Sequence, residues 1–285
     1  MFVIIGIVIV FVSVVGGYML EHGNMHVLFQ PVEFLIIFGA AGGGFIIGSP
    51  MKVIKQVIGG VARLFSGKAY ERSDYLEALM LMGEIFFKVR KEGLIALESD
   101  VDKPEESKIF TKYPNILKNH HAVSLITDTL RTVMDTSIAT HELDALLEAE
   151  LEAHHEESMV PSKSLANIAD GLPGLGIVAA VLGVVITMGK ISEPPEILGE
   201  SIGAALVGTF LGVLSCYGFV GPMARNLEYI ATEEKEYLTV FKNSLVAFVG
   251  GVGPMIAVEF GRRIIPAGVK PSFKDVEEAL RQLKK

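Results

Sequence analysis

The sequence predicts an all-α membrane protein: four transmembrane helices, a large helical cytoplasmic domain inserted between the second and third, and a helical C-terminal tail. Three observations carry that prediction. The 285-residue chain is 50% hydrophobic with a mean hydropathy of +0.46, which a soluble domain of this size rarely reaches. Its charged residues, 20% of the total, are segregated from the apolar runs. Four of those runs approach the roughly 20 residues that cross the hydrocarbon layer.

The runs are residues 2–20, 32–47, 172–188 and 202–220. The first lacks a basic n-region and a small-residue cleavage site, so it reads as a retained anchor rather than a signal peptide. The second is short, but Pro31 and Pro50 bracket it. A fifth stretch, "LVAFVGGVGPMIAV" (residues 245–258), is broken by Gly250, Gly251, Gly253 and Pro254 and reads as an interfacial or buried soluble segment. The domains that follow are 1–48 (transmembrane helices 1 and 2), 49–170 (cytoplasmic helical domain), 171–224 (transmembrane helices 3 and 4) and 225–285 (cytoplasmic C-terminal region).

Lysine and arginine placement sets the orientation. Residues 21–31 have neither, and residues 189–201 have only Lys190 against Glu193, Glu196 and Glu200. Lys52, Lys55, Arg63, Lys68 and Arg72 follow the second span, and Arg225 follows the fourth. Both short connections therefore face outside, with both termini and the middle segment in the cytoplasm.

That middle segment is patterned as helices. "SDYLEALMLMGEIFFKVRKEGLIALES" has helical spacing, with Ser73 as an N-cap and Gly93 as a break. "DVDKPEES" is a turn, and the amphipathic pattern resumes from Pro114. "THELDALLEAELEAHHEES" is an acidic helix that leads past Pro161 towards the third span. In the tail, "ARNLEYIATEEKEYLTVFKNSLVAF" is helical and Ser272 caps a short helix in "SFKDVEEALRQLKK".

The spans are most informative in what they lack. A charged side chain within the bilayer is costly and usually marks an ion path. Here the span interiors offer only Ser13, Tyr18, Thr187, Thr209, Ser215, Cys216 and Tyr217, with Glu33 and Lys190 at span ends within reach of the headgroups. If the chain belongs to an ion path, a partner must supply the carboxylate. Small residues are abundant instead: "GAAGGG" from Gly39 to Gly44, then Gly176, Ala179, Ala180 and Gly183, then Ala204, Gly208 and Gly212. Such faces allow close helix approach in lipid, either between the chain's own spans or against another subunit's helix. Pro173 and Pro222 free the carbonyls of Ala169 and Gly218. On spacing alone they read as span-boundary markers rather than as mechanical elements.

Other chemistry finds little support. The single cysteine excludes a disulfide framework within one chain, and a net charge of −8 argues against nucleic acid. "EAHHEE" around His154 and His155 reads as a solvated acidic face, because adjacent helical histidines diverge by roughly 100°. No phosphate loop or nucleophile constellation suggests an enzyme. No cofactor is implied.

Together "DGLPGLGIVAAVLGVV", "LVGTFLGVLSCYGFVGPMA" and "IAVEFGRR" resemble the MotA family of flagellar stator subunits, relatives of the ExbB and TolQ energising subunits. The likeness extends from "GGYML" and "QPVEFLIIFGAAGGGFIIG" through "YPNIL" and "VPSKSLANIADGLPG" to "PSFKDVEEAL", nearly the whole chain. It implies a homo-oligomeric ring, a pentamer, in the bacterial inner membrane around two helices of MotB, whose aspartate binds the ion. It also implies that ion flow turns the ring against MotB and drives the rotor through FliG. Pro173 and Pro222 fall on the family's functional prolines, Ala180 and Thr209 on its ion route, and Arg90 and Glu98 on the charges that meet FliG. On helix geometry alone Arg90 ends the apolar stripe of Leu76, Leu79 and Phe87, so a pairing within the fold is also open. Gly176, Gly183, Gly208 and Gly212 become candidates for packing around the partner helix. Sodium-driven relatives tend to carry threonine where this chain has Ala180, so a proton is expected as the coupling ion rather than sodium. The alternative is an ExbB- or TolQ-like subunit energising an outer-membrane process; a self-contained transporter is a further rival.

Overall fold

A computed structural model describes residues 2–66 and 69–283; Lys68, Lys284 and Lys285 lie outside the described residues. The chain is helical, with no strand among the described residues. In order the helices are α1 (Phe2–Leu20), α2 (Met25–Leu28), α3 (Pro31–Gly48), α4 (Met51–Ser66), α5 (Arg72–Glu92), α6 (Glu98–Asp102), α7 (Pro114–Leu117) and α8 (His120–Asp135). There follow α9 (Thr140–Met188), α10 (Pro195–Leu214), a π-turn (Ser215–Val220), α11 (Gly221–Val249), α12 (Pro254–Ile264) and α13 (Phe273–Leu283). Four stretches, α1, Met25–Gly48, α9 and Pro195–Val249, are long and apolar enough to cross a membrane.

The chain divides into two compact units, Met1–Gly67 with Ser158–Tyr229, and Lys68–Glu157 with Ile230–Lys285. These limits differ from 48/49, 170/171 and 224/225, because α9 and α11 run well past the apolar spans without a break. Pro161 and Pro173 both lie inside α9 and do not end it.

The first unit holds α1, Met25–Gly48, α9 from Ser158 onward and the fourth stretch as far as Tyr229. Its buried cluster is small: Ile37, Ala169, Leu172, Ala179 and Cys216. In α1 no residue is buried, and Phe2, Leu35 and Ile47 are among many large apolar side chains left exposed. That is the composition of a bundle whose surrounding medium is lipid.

The second unit is built like a water-soluble domain. Tyr75, Leu79, Met82, Ile85 and Phe86 of α5 pack into a broad core with α8, α11 and α13. The Phe86 and Phe248 rings stack at 4.2 Å, and those of Tyr70 and Tyr237 at 4.1 Å. Gly83 leaves room for the Leu280 side chain. The 245–258 stretch lies in this core, with Leu245, Ala257 and Val258 buried. Buried Lys242 donates to Glu148 at 2.5 Å and pairs with Asp144 at 2.9 Å. Burial pulls its pKa down, but those two carboxylates outweigh burial and hold it above the ordinary value.

Some local expectations are corrected and others hold. Residue Glu71, not Ser73, is the N-cap of α5, and the Asp74 carboxylate accepts from the Glu71 N–H at 2.8 Å. Gly93 does end that helix, with φ 88°. The pattern from Pro114 breaks at Asn119, whose side chain caps α8 by accepting from the Ala122 N–H at 3.2 Å. Ser272 caps α13 through a reciprocal pair of hydrogen bonds with Asp275. His154 and His155 are half-buried rather than solvated, because the His154 ring packs at 4.1 Å against His121 and faces Glu234.

Candidate functional site

The third and fourth spans meet through backbone. A Cβ on Gly176 would lie 2.7 Å from the Gly208 carbonyl oxygen and 3.0 Å from Gly212 Cα. One on Gly212 would lie 2.5 Å from the Leu172 carbonyl oxygen, and one on Gly183 would lie 2.7 Å from Ala205 Cβ. Any side chain at these positions would force α9 and α10 apart. Within the chain, Gly176, Gly183, Gly208 and Gly212 therefore meet the chain's own opposite span. The Gly39 to Gly44 cluster behaves differently: Gly39, Gly42, Gly43 and Gly44 have open space where a Cβ would stand.

Glu33 is the largest departure from the sequence reading. It does not reach towards headgroups. It is buried at 9% exposure, and its Oε2 is enclosed with no hydrogen-bond partner among the described residues. A Cβ on Gly208 would lie 2.9 Å from that oxygen and 3.0 Å from the Ala180 backbone nitrogen. A Cβ on Gly183 would lie 3.6 Å from Glu33 Oε1. The span interior thus holds a carboxyl beside Ala180, and the expectation that it has none is corrected. The cause is local. After Asn24 caps α2, that short helix lies along α10, so α3 starts at Pro31 already within the bundle. The available signal was helical register, since Glu33 and Ile37 are the buried residues of α3 and stand one turn apart.

Ala180 is buried in this contact, and Thr209, which follows Gly208 in the chain, is half-buried. The Thr187 hydroxyl donates to the Gly183 carbonyl at 2.9 Å. No group of metal-ligating side chains gathers among the described residues.

The prolines stand in different settings. Pro173 is half-buried inside unbroken α9. Pro222 is exposed and directly follows the π-turn, in which the Gly221 N–H reaches back five residues to the Cys216 carbonyl. A helix that already lacks the Pro222 N–H accommodates such a wider turn, and π-turns recur at functional positions. Beside it lies a cavity of about 140 Å³ lined by Ser162, Asp170, Cys216, Tyr217, Pro222 and Arg225. The Ser162 hydroxyl donates to the Ala224 carbonyl at 2.8 Å, tying α9 to α11 there. Sequence reasoning missed this polar recess because Asp170 and Arg225 lie far apart in the chain.

Arg90 and Glu98 are not brought to this region; they belong to the second unit, on either side of Gly93. Both are exposed, and neither has an ion-pair partner among the described residues. The neighbouring charges are engaged: Lys88 pairs with Asp100 at 2.5 Å, and Glu84 with Lys112. Ile95, which the sequence reading passed over, is 79% exposed between Arg90 and Glu98.

Residues 4–93 match the Motility protein A N-terminal family, and residues 117–239 match the MotA/TolQ/ExbB proton channel family. The chain is 39% identical to Motility protein A of Escherichia coli, over 100% of this chain and 96% of that protein. It is 38% identical to Chemotaxis protein LafT of Vibrio parahaemolyticus, over 97% of each. Among solved structures, the flagellar MotAB stator complex of Bacillus subtilis matches with a TM-score of 0.74 at 24% identity, over 94% of this chain and 97% of that one. The MotAB structure of C. jejuni matches with a TM-score of 0.75 at 19% identity, over 93% and 95%. The chain belongs to the Motility protein A family.

Proposed function

We propose that this chain is the ion-conducting, torque-generating stator subunit of a bacterial flagellar motor. The observation that carries the reading is the 39% identity to a motility protein across 100% of the chain. Relatives matched along their whole length are motility proteins, which favours this reading over an ExbB- or TolQ-like one. The chain acts as a channel component, not an enzyme, and needs no cofactor.

In this reading the chain lies in the inner membrane with both termini cytoplasmic, as the lysine and arginine asymmetry directs. It forms a homo-oligomeric ring, a pentamer, around a MotB-type subunit whose aspartate takes the inward-moving ion, a proton. Neutralising that aspartate removes a charge from an apolar interface and changes which ring position is favoured. A difference of a few kcal/mol between two positions suffices to bias the step. Ala180 and Thr209 line the route. Pro173 and Pro222 let the cytoplasmic ends of α9 and α11 follow the step, and the π-turn beside Pro222 supports such compliance. Arg90 and Glu98 carry the force to FliG; their exposure and lack of ion-pair partners among the described residues support that role, with Ile95 as an apolar centre between them.

The test is complementation of a strain lacking its own subunit of this type. The chain, co-expressed with its MotB-type partner, should restore swimming that persists without sodium and stops with a protonophore. Pro173→Ala and Pro222→Ala should abolish swimming while the partner still co-purifies. Strict sodium dependence would reject the proton assignment, and normal swimming of both proline variants would reject the mechanical role.

A further inference from the structure

We propose that Glu33 is a second ion-binding carboxyl on the conduction route, one that every copy of this chain supplies beside Ala180 and Gly208. The proposal rests on the stator reading above and deepens it, placing part of the titrating chemistry on this chain rather than on its partner alone.

Three observations carry it. The side chain is 9% exposed, and its Oε2 is enclosed without a hydrogen-bond partner among the described residues. The atoms around it are those of the glycine contact: Gly183 and the Ala180 nitrogen on α9, and Gly208 on α10. No countercharge stands among them. His26 on α2, Lys190 after α9, and Glu196 and Glu200 on α10 are all exposed. A carboxyl so placed cannot remain an isolated anion in an apolar bundle; it is stable only with a proton or a cation on it, or with a polar group from outside the chain. Functional carboxyls within membranes have this setting.

The position also suits a relay. Glu33 is in the first turn of α3, near the connection that enters at Asn24, while its oxygens reach the level of Ala180. A proton entering from that side is bound by the Glu33 carboxylate. In the transfer step the Glu33 O–H bond breaks and an O–H bond forms on the partner's aspartate carboxylate, directly or through an intervening water. Glu33 is left as the carboxylate, ready to take the next proton from the entry side. No electron moves and no co-reactant is needed.

The experiment uses the full chain with its MotB-type partner in a strain lacking its own subunit, reading swimming speed against external pH in sodium-free medium, with co-purification as the assembly control. Glu33→Gln preserves shape and hydrogen bonding but cannot carry the proton. It should co-purify normally yet swim more slowly, and the loss should steepen towards roughly tenfold per unit of rising external pH, the change in free proton concentration. Glu33→Asp keeps a titratable group and should restore part of the speed and the parent's flatter profile. Swimming of Glu33→Gln at parental speed at every pH would overturn the proposal. So would a Gln variant that no longer co-purifies, or Gln and Asp variants slowed equally with the parent's pH profile, since either would assign the carboxyl to packing. Failure of the unsubstituted chain to restore swimming would instead overturn the stator reading itself.

Discussion

The two units solve the same problem, holding helices together, with opposite materials. In the second unit large side chains do it: Phe86 stacks on Phe248, and Tyr75, Tyr237 and Phe241 close a common core. Burying such side chains removes apolar area from water, which is the dominant gain available to a soluble fold. In the first unit that gain is absent between helices, because lipid is as apolar as leucine. There α9 and α10 are joined by glycine against backbone, with Gly176 and Gly212 so close that neither could bear a side chain. Large apolar residues point outward instead. The comparison teaches where each unit is vulnerable: the second to losing atoms, the first to gaining them.

The largest expected effect tests the first half of that contrast. Phe86→Ala empties the centre of the second unit's core and should cost about 3–5 kcal/mol, read as a lower midpoint in thermal melting of the detergent-solubilised complex. The counterpart adds a single methyl group. Gly212→Ala puts a Cβ 2.5 Å from the Leu172 carbonyl oxygen, so the spans must separate, at a cost of about 1–3 kcal/mol. Gly43→Ala makes the same change where nothing lies within 4 Å and should leave melting and co-purification unchanged. Should Gly43→Ala prove as damaging as Gly212→Ala, a neighbouring molecule occupies that face, and the contrast must be redrawn to include it.

Legibility in the sequence follows the same divide. The four apolar stretches were readable because lipid imposes length and composition on each helix separately. Helix stops at Gly93 and the Ser272 cap were readable because they are decided within a few residues. Glu33 was misjudged for a reason hydropathy cannot represent: the profile places it at the end of an apolar run, whereas packing of α2 along α10 sinks that end into the bundle. The glycine clusters look alike in one dimension, and only pairing separates those that meet another helix from those that do not. The recess between Asp170 and Arg225, and the buried environment of His154, likewise arise from residues brought together across long sequence separations.

A smaller effect is expected where the second unit buries charge. Lys242→Met keeps the buried stem and removes the ammonium from Asp144 and Glu148, which are each more than half exposed on their side chains. Because water can take over the solvation of both acids, the loss should be about 1 kcal/mol or less, visible as a small drop in melting midpoint that shrinks further at high salt. A drop matching that of Phe86→Ala would mean that this ion pair, rather than apolar burial, holds α9 to α11 within the unit.

The smallest and most conditional effect belongs to His121. Burial lowers its pKa from the ordinary 6.5, and the adjacent His154 lowers it further, against the opposing pull of Glu234 and Glu157. The folded state therefore prefers the neutral imidazole more strongly than the unfolded chain does. A depressed folded value means that its contribution to stability is complete above pH 6.5 and is lost as pH falls through the lower folded value. Melting of the solubilised complex should thus decline on acidification from pH 6.5, and His121→Phe, which retains a ring against His154 but cannot ionise, should decline less over the same interval. Glu150, whose pKa burial raises, contributes the opposite slope in both proteins and cancels in their difference. Parallel melting curves for parent and His121→Phe would mean that His121, itself exposed beside half-buried His154, does not carry the pH dependence of the second unit.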